Sequence, residues 1–444
     1  MAGFLFLSKI IFMRYKQINK SLFVNNRKRL ASELKPGSVA VFNSNDIMPT
    51  NADGTMRFRQ NSDLFYLTGV DQEETILLLF PDHPEKKFRE VLFLRETSEL
   101  IATWEGHKLT KDEARALSGI ETILWTTDFH RVFNTALTMG GAEFIYLNTN
   151  EHYRAEVAVE TRDSRFIQWC KGKYPLHKYE RVAPIMSKLR AVKSKEELDQ
   201  MQAACDITNK AFRRVLRFVK PGVKEYEIEA EFIHEFLRNG SRGFAYEPII
   251  ASGANSCVLH YVENSKACKA GDVLLLDVGA EYGNYNADMT RTIPVNGKFS
   301  KRQKDVYNAV LRIKRAAMKL LKPAVLYYDY HKEVQKITEA ELVRLKLIDK
   351  ADIKNQNPAK PLFMKYFMHG TGHHLGLDVH DTGNMYSKMQ LGMVWTVEPG
   401  IYIKEEGLGV RLENNVVIEK NGVRDLMKNI PIEAEEIEDL MNSK

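Results

Sequence analysis

The spacing of apolar positions changes along the chain, and each change marks an element. Leu22, Phe23, Leu30 and Leu34 recur at helical spacing from about 21 to 34, and Pro36-Gly37 ends the run. Short apolar runs of strand character follow at 38–42, 75–80, 90–95, 121–125 and 143–148, interleaved with helical patterns near 111–117 and 128–138. That alternation predicts an α/β layer domain with a mixed or parallel sheet. Between the first two strands, TMRFRQNSDLFYLTGV at 55–70 carries too many aromatic, Arg and amide groups for a plain connection. It reads as a structural plug or an interface.

A seam lies at 188–192, and beyond it the pattern changes. Ser194 and Glu197 form a capping box, and Leu198, Met201, Cys205, Thr208 and Phe212 continue at helical spacing towards Pro221-Gly222. A second helix is expected from Tyr226 to Leu237, a long one from Ser300 to about Leu321, and a further helical stretch over 328–346. A strand pair separates the second from the third, and short strands broken by glycines fill the remainder. Two domains result: α/β over 14–185 and α+β over 186–444.

Composition narrows the function classes. With 44% hydrophobic and 27% charged residues, the 444-residue chain is an ordinary globular one. Its net charge of +6 is spread rather than striped, so nucleic-acid binding is not expected. The cysteines (Cys170, Cys205, Cys257, Cys268) have no CxxC spacing, which fits a reducing compartment, and the cytoplasm is the expected location. The opening MAGFLFLSKIIFM lacks a basic leader region and a small-residue cleavage site, and it is too short to span a bilayer. Met13 is the expected natural start, and no membrane association is expected.

The candidate chemistry centres on 274–292, LLLDVGAEYGNYNADMTRT. Asp277 ends an apolar strand, a turn around Gly279 and Gly283 follows, and Asp288 comes 11 positions after the first carboxylate. Two carboxylates facing each other across a hairpin cannot neutralise one another, so a metal ion is the natural compensation. From this stretch alone, two ordinary turn aspartates explain the pattern equally well.

Four more segments of the second domain place polar groups at the ends of apolar runs: His260 in ASGANSCVLHYVEN, four histidines in FMHGTGHHLGLDVHD, Glu398 before Pro399-Gly400, and Arg411 with Glu413 on one face of GVRLEN. His369-x-x-x-His373 has the spacing of helical zinc ligands, but the intervening Gly-Thr-Gly disfavours a helix and the catalytic Glu of that motif is missing. The glycines point instead to backbone packed against a ligand or another strand. One imidazole with four carboxylates is a hard donor set, suited to Mn²⁺, Co²⁺, Fe²⁺ or Zn²⁺ in a two-metal site.

Asp277, Asp288, His373, Glu398 and Glu413, in that order and within those motifs, resemble the five ligands of the pita-bread (creatinase/aminopeptidase) metallopeptidases, which include methionine aminopeptidase, prolidase and aminopeptidase P. RQNSDLFYLTG and KLRAVKSKEEL extend the likeness over nearly the whole chain, and the N-terminal domain brings it nearest to aminopeptidase P. The resemblance implies a catalytic pita-bread domain and removal of an N-terminal residue that precedes proline. It implies two divalent ions, foremost Mn²⁺, with Asp277 on one, His373 and Glu398 on the other, and Asp288 and Glu413 bridging. A hydroxide between the ions would attack the peptide carbonyl.

Catalytic roles are implied for His260, His380, Glu398 and Arg411, with Glu398 also shuttling a proton. Substrate-binding roles are implied for Tyr246, His369 and Tyr402. Trp104 would help to cover the proline side, and His374 has no implied role. The partners implied are proline-containing peptides and further copies of the chain, as a homodimer or homotetramer, with 55–70 as a candidate contact.

Two departures stand out. Asn414 and Asn415 occupy positions where carboxylates often follow the last ligand, and the link from Glu398 to Arg411 is short. The short link is shared with some prolidases, so a prolidase restricted to Xaa-Pro dipeptides is the alternative.

Overall fold

In the computed structural model, residues 13–443 are described, so the expectation for the first dozen residues lies outside them. The chain forms two units, Met1–Arg190 and Ala191–Lys444. The division falls between Arg190 and Ala191 rather than after 185, because the helix Ala183–Ala191 is tied into the first unit. Arg190 donates to Asp63 at 2.8 Å, and the Leu189 carbonyl accepts from Arg29 and Tyr66.

The first unit is built on a mixed six-stranded sheet. Its strands run in the order Thr122–Trp125, Glu90–Leu94, Ile76–Leu79, Ser38–Asn43, Phe144–Leu147, Lys178–Arg181. The two central pairings around Ile76–Leu79 are antiparallel and the outer three are parallel. Val39, Val41, Leu78, Val91, Phe93 and Ile145 put one face of this sheet against Phe129, Val132 and Phe133 of the helix Phe129–Thr138. The 55–70 stretch ends in a plug. Asn61 caps the helix Ser62–Thr68, whose residues 64–68 are all buried, while Gln60 ties the carbonyls of Val70 and Gln72. Four helices of this unit went unpredicted, Glu99–Glu105, Arg162–Lys173, Ala183–Ala191 and Ser62–Thr68, as did Lys350–Asn355 and Ala434–Asn442 in the second. The first two are largely polar, with a single buried residue between them, so they leave little apolar periodicity to read.

In the second unit the order helix, helix, antiparallel strands occurs twice. Lys195–Phe218 and Glu225–Arg238 precede a sheet of Ile249–Ser252, Val273–Val278 and Met289–Pro294. Lys301–Leu320 and Tyr327–Arg344 precede a second set, in which Val394–Val397 pairs with Asn414–Glu419 and Gly400–Ile403 pairs with Leu408–Arg411. Both helices that follow a serine cap, Ser194 and Ser300, start with a complete capping box, which satisfies the first orphan N–H groups. Among the described residues no helix is long and apolar enough to cross a membrane.

Candidate metal centre

Strand pairing places the first carboxylates. Asp277 pairs in register with Thr290, and Asp288 stands immediately before the strand that returns. Asp288 is then fixed from a third strand: its N–H donates to Asn415 Oδ1 (3.0 Å), and its carbonyl accepts from Asn415 Nδ2 (2.6 Å). Asn415 is thus a support that the sequence did not disclose, and it explains why an amide, with one donor and one acceptor, occupies that position. Asn414 instead donates to Asp425.

The imidazole comes from the glycine-bearing segment. A Cβ at Gly372 would lie 2.0 Å from the Thr396 carbonyl oxygen, so only glycine lets 371–373 run against 396–398. Backbone bonds from Thr396 N to His373 O and from Glu398 N to Thr371 O join the two stretches. His373 Nδ1 donates to the His374 carbonyl (2.9 Å). That leaves Nε2 facing Asp288 Oδ2 (3.4 Å) and Glu398 Oε1 (3.7 Å), where it bears a proton towards Asp288 or, without that proton, could serve as a ligand.

Asp288, His373 and Glu413 offer ligand atoms all within 4.8 Å of one another. Glu413 is buried; its Oε2 accepts from Thr290 Oγ1 (2.7 Å), and its Oε1 meets no donor at all. Asp277 joins through Tyr246, whose hydroxyl lies 2.6 Å from Asp277 and 2.7 Å from Asp288. One phenol has one proton, so it cannot satisfy two ionised carboxylates. An orphaned carboxylate oxygen and an over-subscribed phenol both mark a place for a cation. Four carboxylates, three of them buried, and one imidazole fit a hard divalent metal.

The electrostatics agree. Burial, together with the neighbouring carboxylates, raises Asp277 and lifts Glu413 well above the usual range. Burial pushes Glu398 up to about 7 against the pull of His373. Burial would raise Asp288 too, but its hydrogen bond with His373 holds it below the ordinary value. A buried cation, Arg411, stands against these carboxylates. Burial alone would lower it, yet Tyr402 and Asp277 hold it well above its ordinary value. Arg411 donates to Asp277, to Thr290 Oγ1 (3.0 Å) and to Tyr402 Oη (2.9 Å).

Tyr402 passes that chain on. Its O–H donates to His369 Nε2 (2.8 Å), because His369 Nδ1 already donates to the Gly370 carbonyl (2.8 Å). Burial and the Arg411 charge push His369 down to about 3, so this ring is neutral, 3.6 Å from Glu398. His380 is exposed, its ring 4.5 Å from that of His373 in a T-shaped contact, and its charge favours ionised Asp288. His260 is also exposed, and its charge acts against protonation of His369.

The structure therefore brings together Asp277, Asp288, His373, Glu398 and Glu413 with Arg411, Tyr246, Tyr402, His369 and His380, and sets His260 towards solvent. Tyr246, expected to line the pocket for the substrate N-terminus, has its hydroxyl on the carboxylates. Trp104 lies in the first unit and is 82% exposed. His374 is buried with its ring 4.1 Å from that of Trp395, a packing position. Sequence reasoning missed Thr290, Asn415 and the bonding of Tyr246.

Fold and site together define a divalent-metal peptidase, and the chain belongs to metallopeptidase family M24, whose pattern residues 199–420 match. Residues 23–146 match the Aminopeptidase P, N-terminal domain, so the family likeness extends to both units and gives the pita-bread fold of aminopeptidase P. The chain is 33% identical to the Xaa-Pro aminopeptidase of Escherichia coli, over 96% of this chain and 98% of that one. With the Xaa-Pro aminopeptidase of Haemophilus influenzae it shares 34%, with the same coverage. Among solved structures, Pseudomonas aeruginosa aminopeptidase PepP superposes with a TM-score of 0.85 at 31% identity, covering 96% of this chain and 98% of that one. Zn-substituted E. coli aminopeptidase P in complex with product superposes at 0.83 and 32%, covering 96% and 99%. The protein is a metallo-aminopeptidase.

Proposed function

We propose that the protein hydrolyses the peptide bond between an N-terminal residue and a following proline, using two divalent ions, foremost Mn²⁺. The observation that carries the reading is the convergence of Asp288, His373 and Glu413 with an unpartnered Glu413 oxygen. The proline preference is supported by the relatives' activity and by the likeness of both units to aminopeptidase P.

Asp277 would hold one ion, His373 and Glu398 the other, and Asp288 and Glu413 both. Ions so held would lower the pKa of a bound water towards neutrality and so supply the nucleophile for the peptide carbonyl. The chain's own groups do the rest. Glu398 would take a proton at its carboxylate and hand it to the leaving proline nitrogen. Arg411 keeps Asp277 ionised and orients Tyr402, which in turn holds His369 in one tautomer. His380 and His260, at the exposed side, donate to the substrate carbonyl as charge develops on it. Tyr246 fixes the pair Asp277 and Asp288 while the substrate N-terminus binds beside them.

This reading also makes the chain a homodimer or homotetramer, which light scattering checks. It places the enzyme in the cytoplasm, in keeping with four free cysteines, three of them buried. The decisive assay compares an Xaa-Pro-Pro tripeptide with an Xaa-Pro dipeptide. Turnover of the tripeptide supports an aminopeptidase. Cleavage of the dipeptide alone makes it a prolidase.

A further inference from the structure

The segment from His369 to His374 is gripped from behind by one face of the helix Tyr327–Arg344. Tyr327, His331 and Gln335 stand one turn apart on that face. Gln335 Nε2 donates to His331 Nε2 (2.8 Å), which leaves the ring proton on Nδ1, 2.7 Å from Thr371 Oγ1. Thr371 is fully buried, and its carbonyl oxygen accepts from the N–H of Glu398 (2.9 Å). The hydroxyl that His331 holds therefore belongs to the residue against which Glu398 rests, midway between His369 and His373.

The ring itself has little freedom. Tyr327 stacks on it at 5.9 Å with planes 4° apart, and stacks equally on Trp395 at 5.4 Å. Phe367 stands between His331, 6.4 Å away, and His369, 4.9 Å away. The Tyr327 phenol oxygen lies where a side chain on Gly370 would begin. Burial lowers the proton affinity of His331, which keeps the ring neutral and its single N–H directed.

We propose that His331 is a positioning residue for the reaction: through its hydrogen bond to Thr371 it sets the segment carrying His369 and His373 and the backbone of Glu398. The hydrogen bond, rather than the bulk of the ring, is what matters. His331 is only partly buried, so leucine fills its place without a large cavity. Leucine leaves the Thr371 hydroxyl without its donor, however, and a buried hydroxyl in that position moves to find another. Asparagine puts an N–H close to where imidazole Nδ1 stands.

The inference rests on the aminopeptidase reading and is tested in the full chain loaded with Mn²⁺. In His331→Leu, kcat on an Xaa-Pro-Pro peptide falls by about tenfold to a hundredfold, the range expected for a displaced catalytic group. KM and metal content stay near wild type, while His331→Asn recovers most of the rate. Thr371→Val costs about as much as His331→Leu, and the double variant costs no more than either. Wild-type rates in His331→Leu, equally slow Leu and Asn variants, multiplying losses, or metal lost in step with activity overturns the proposal. A wild-type chain that turns over no such peptide overturns the aminopeptidase reading instead. In that event coupling between positions 331 and 371 in melting temperature still reads the clamp, and its absence refutes it.

Discussion

Asn415 holds Asp288 by both ends of its amide, accepting from the Asp288 N–H at 3.0 Å and donating to the Asp288 carbonyl at 2.6 Å. The Asp288 carboxylate is thus placed by its own main chain, bonded to a residue on a neighbouring strand. Asn415→Asp keeps the shape but removes the donor and sets a carboxylate against a carbonyl oxygen at a fully buried position. We expect a loss of about 2–4 kcal/mol in unfolding free energy, from a buried unpaired acceptor and charge. Urea unfolding measures it. A variant as stable as wild type would show that Asp288 does not depend on this amide.

Metal uptake should be tightly pH-dependent. Burial and mutual repulsion raise Asp277, Glu413 and Glu398, the last to about 7, so the metal-free centre is partly protonated at neutrality. A metal must displace those protons, and affinity therefore climbs as pH rises through about 7. Chelator competition at pH values about one unit on either side should show tighter binding on the alkaline side, with protons released on binding. Affinity independent of pH would contradict the assignment of these carboxylates.

Lys314 gives a stability test away from the chemistry. It is 2% exposed, with its ammonium against Met318 Sδ at 3.6 Å, and burial, then Arg291, pushes its pKa down to about 7. Unfolded, it titrates near about 10.4. Between those values the unfolded chain binds more protons than the folded one, so stability rises with pH across that window, and the cost is full below about 7. Lys314→Met should therefore stabilise the fold by about 1–4 kcal/mol at neutral pH, with the gain shrinking as pH approaches about 10. Melting curves at both ends of the window decide it, and a variant less stable throughout would show the ammonium to be compensated.

His380→Ala should slow turnover by about a hundredfold or more, the scale for losing one donor to a developing oxyanion. Metal content should be retained, because the ring contacts His373 edge to face. Loss of metal along with activity would make His380 a support for the ligands instead.

The centre was legible where a polar residue ends an apolar strand. Asp277 and Glu398 each interrupt a run of buried aliphatic positions, and such interruptions can be read without knowing what lies opposite. The apolar strands and the long amphipathic helices were legible for the same reason, since their apolar periods are local, whereas the edge strand Lys178–Arg181, with no buried residue, was not. Residues that act by pairing across distance were hidden. Asn415 lies 127 positions from Asp288, Thr290 lies 123 from Glu413, and Tyr246 lies 42 from Asp288, and no local pattern encodes such bonds. His331 was hidden doubly, because it lies on a helix that reads simply as amphipathic. The early domain boundary has a similar cause: the helix Ala183–Ala191 is tied to the first unit by distant partners, Arg190 by Asp63 and the Leu189 carbonyl by Arg29 and Tyr66.

The central claim is that one centre holds two ions, with Asp288 shared between them. Counting divalent ions per chain in the wild type and in Asp288→Ala, after loading with Mn²⁺ and removal of excess, tests this most directly. Two ions in the wild type, and at most one in an inactive variant, is the predicted result. A wild type that saturates at one ion, or a variant that keeps both and still turns over, would contradict it.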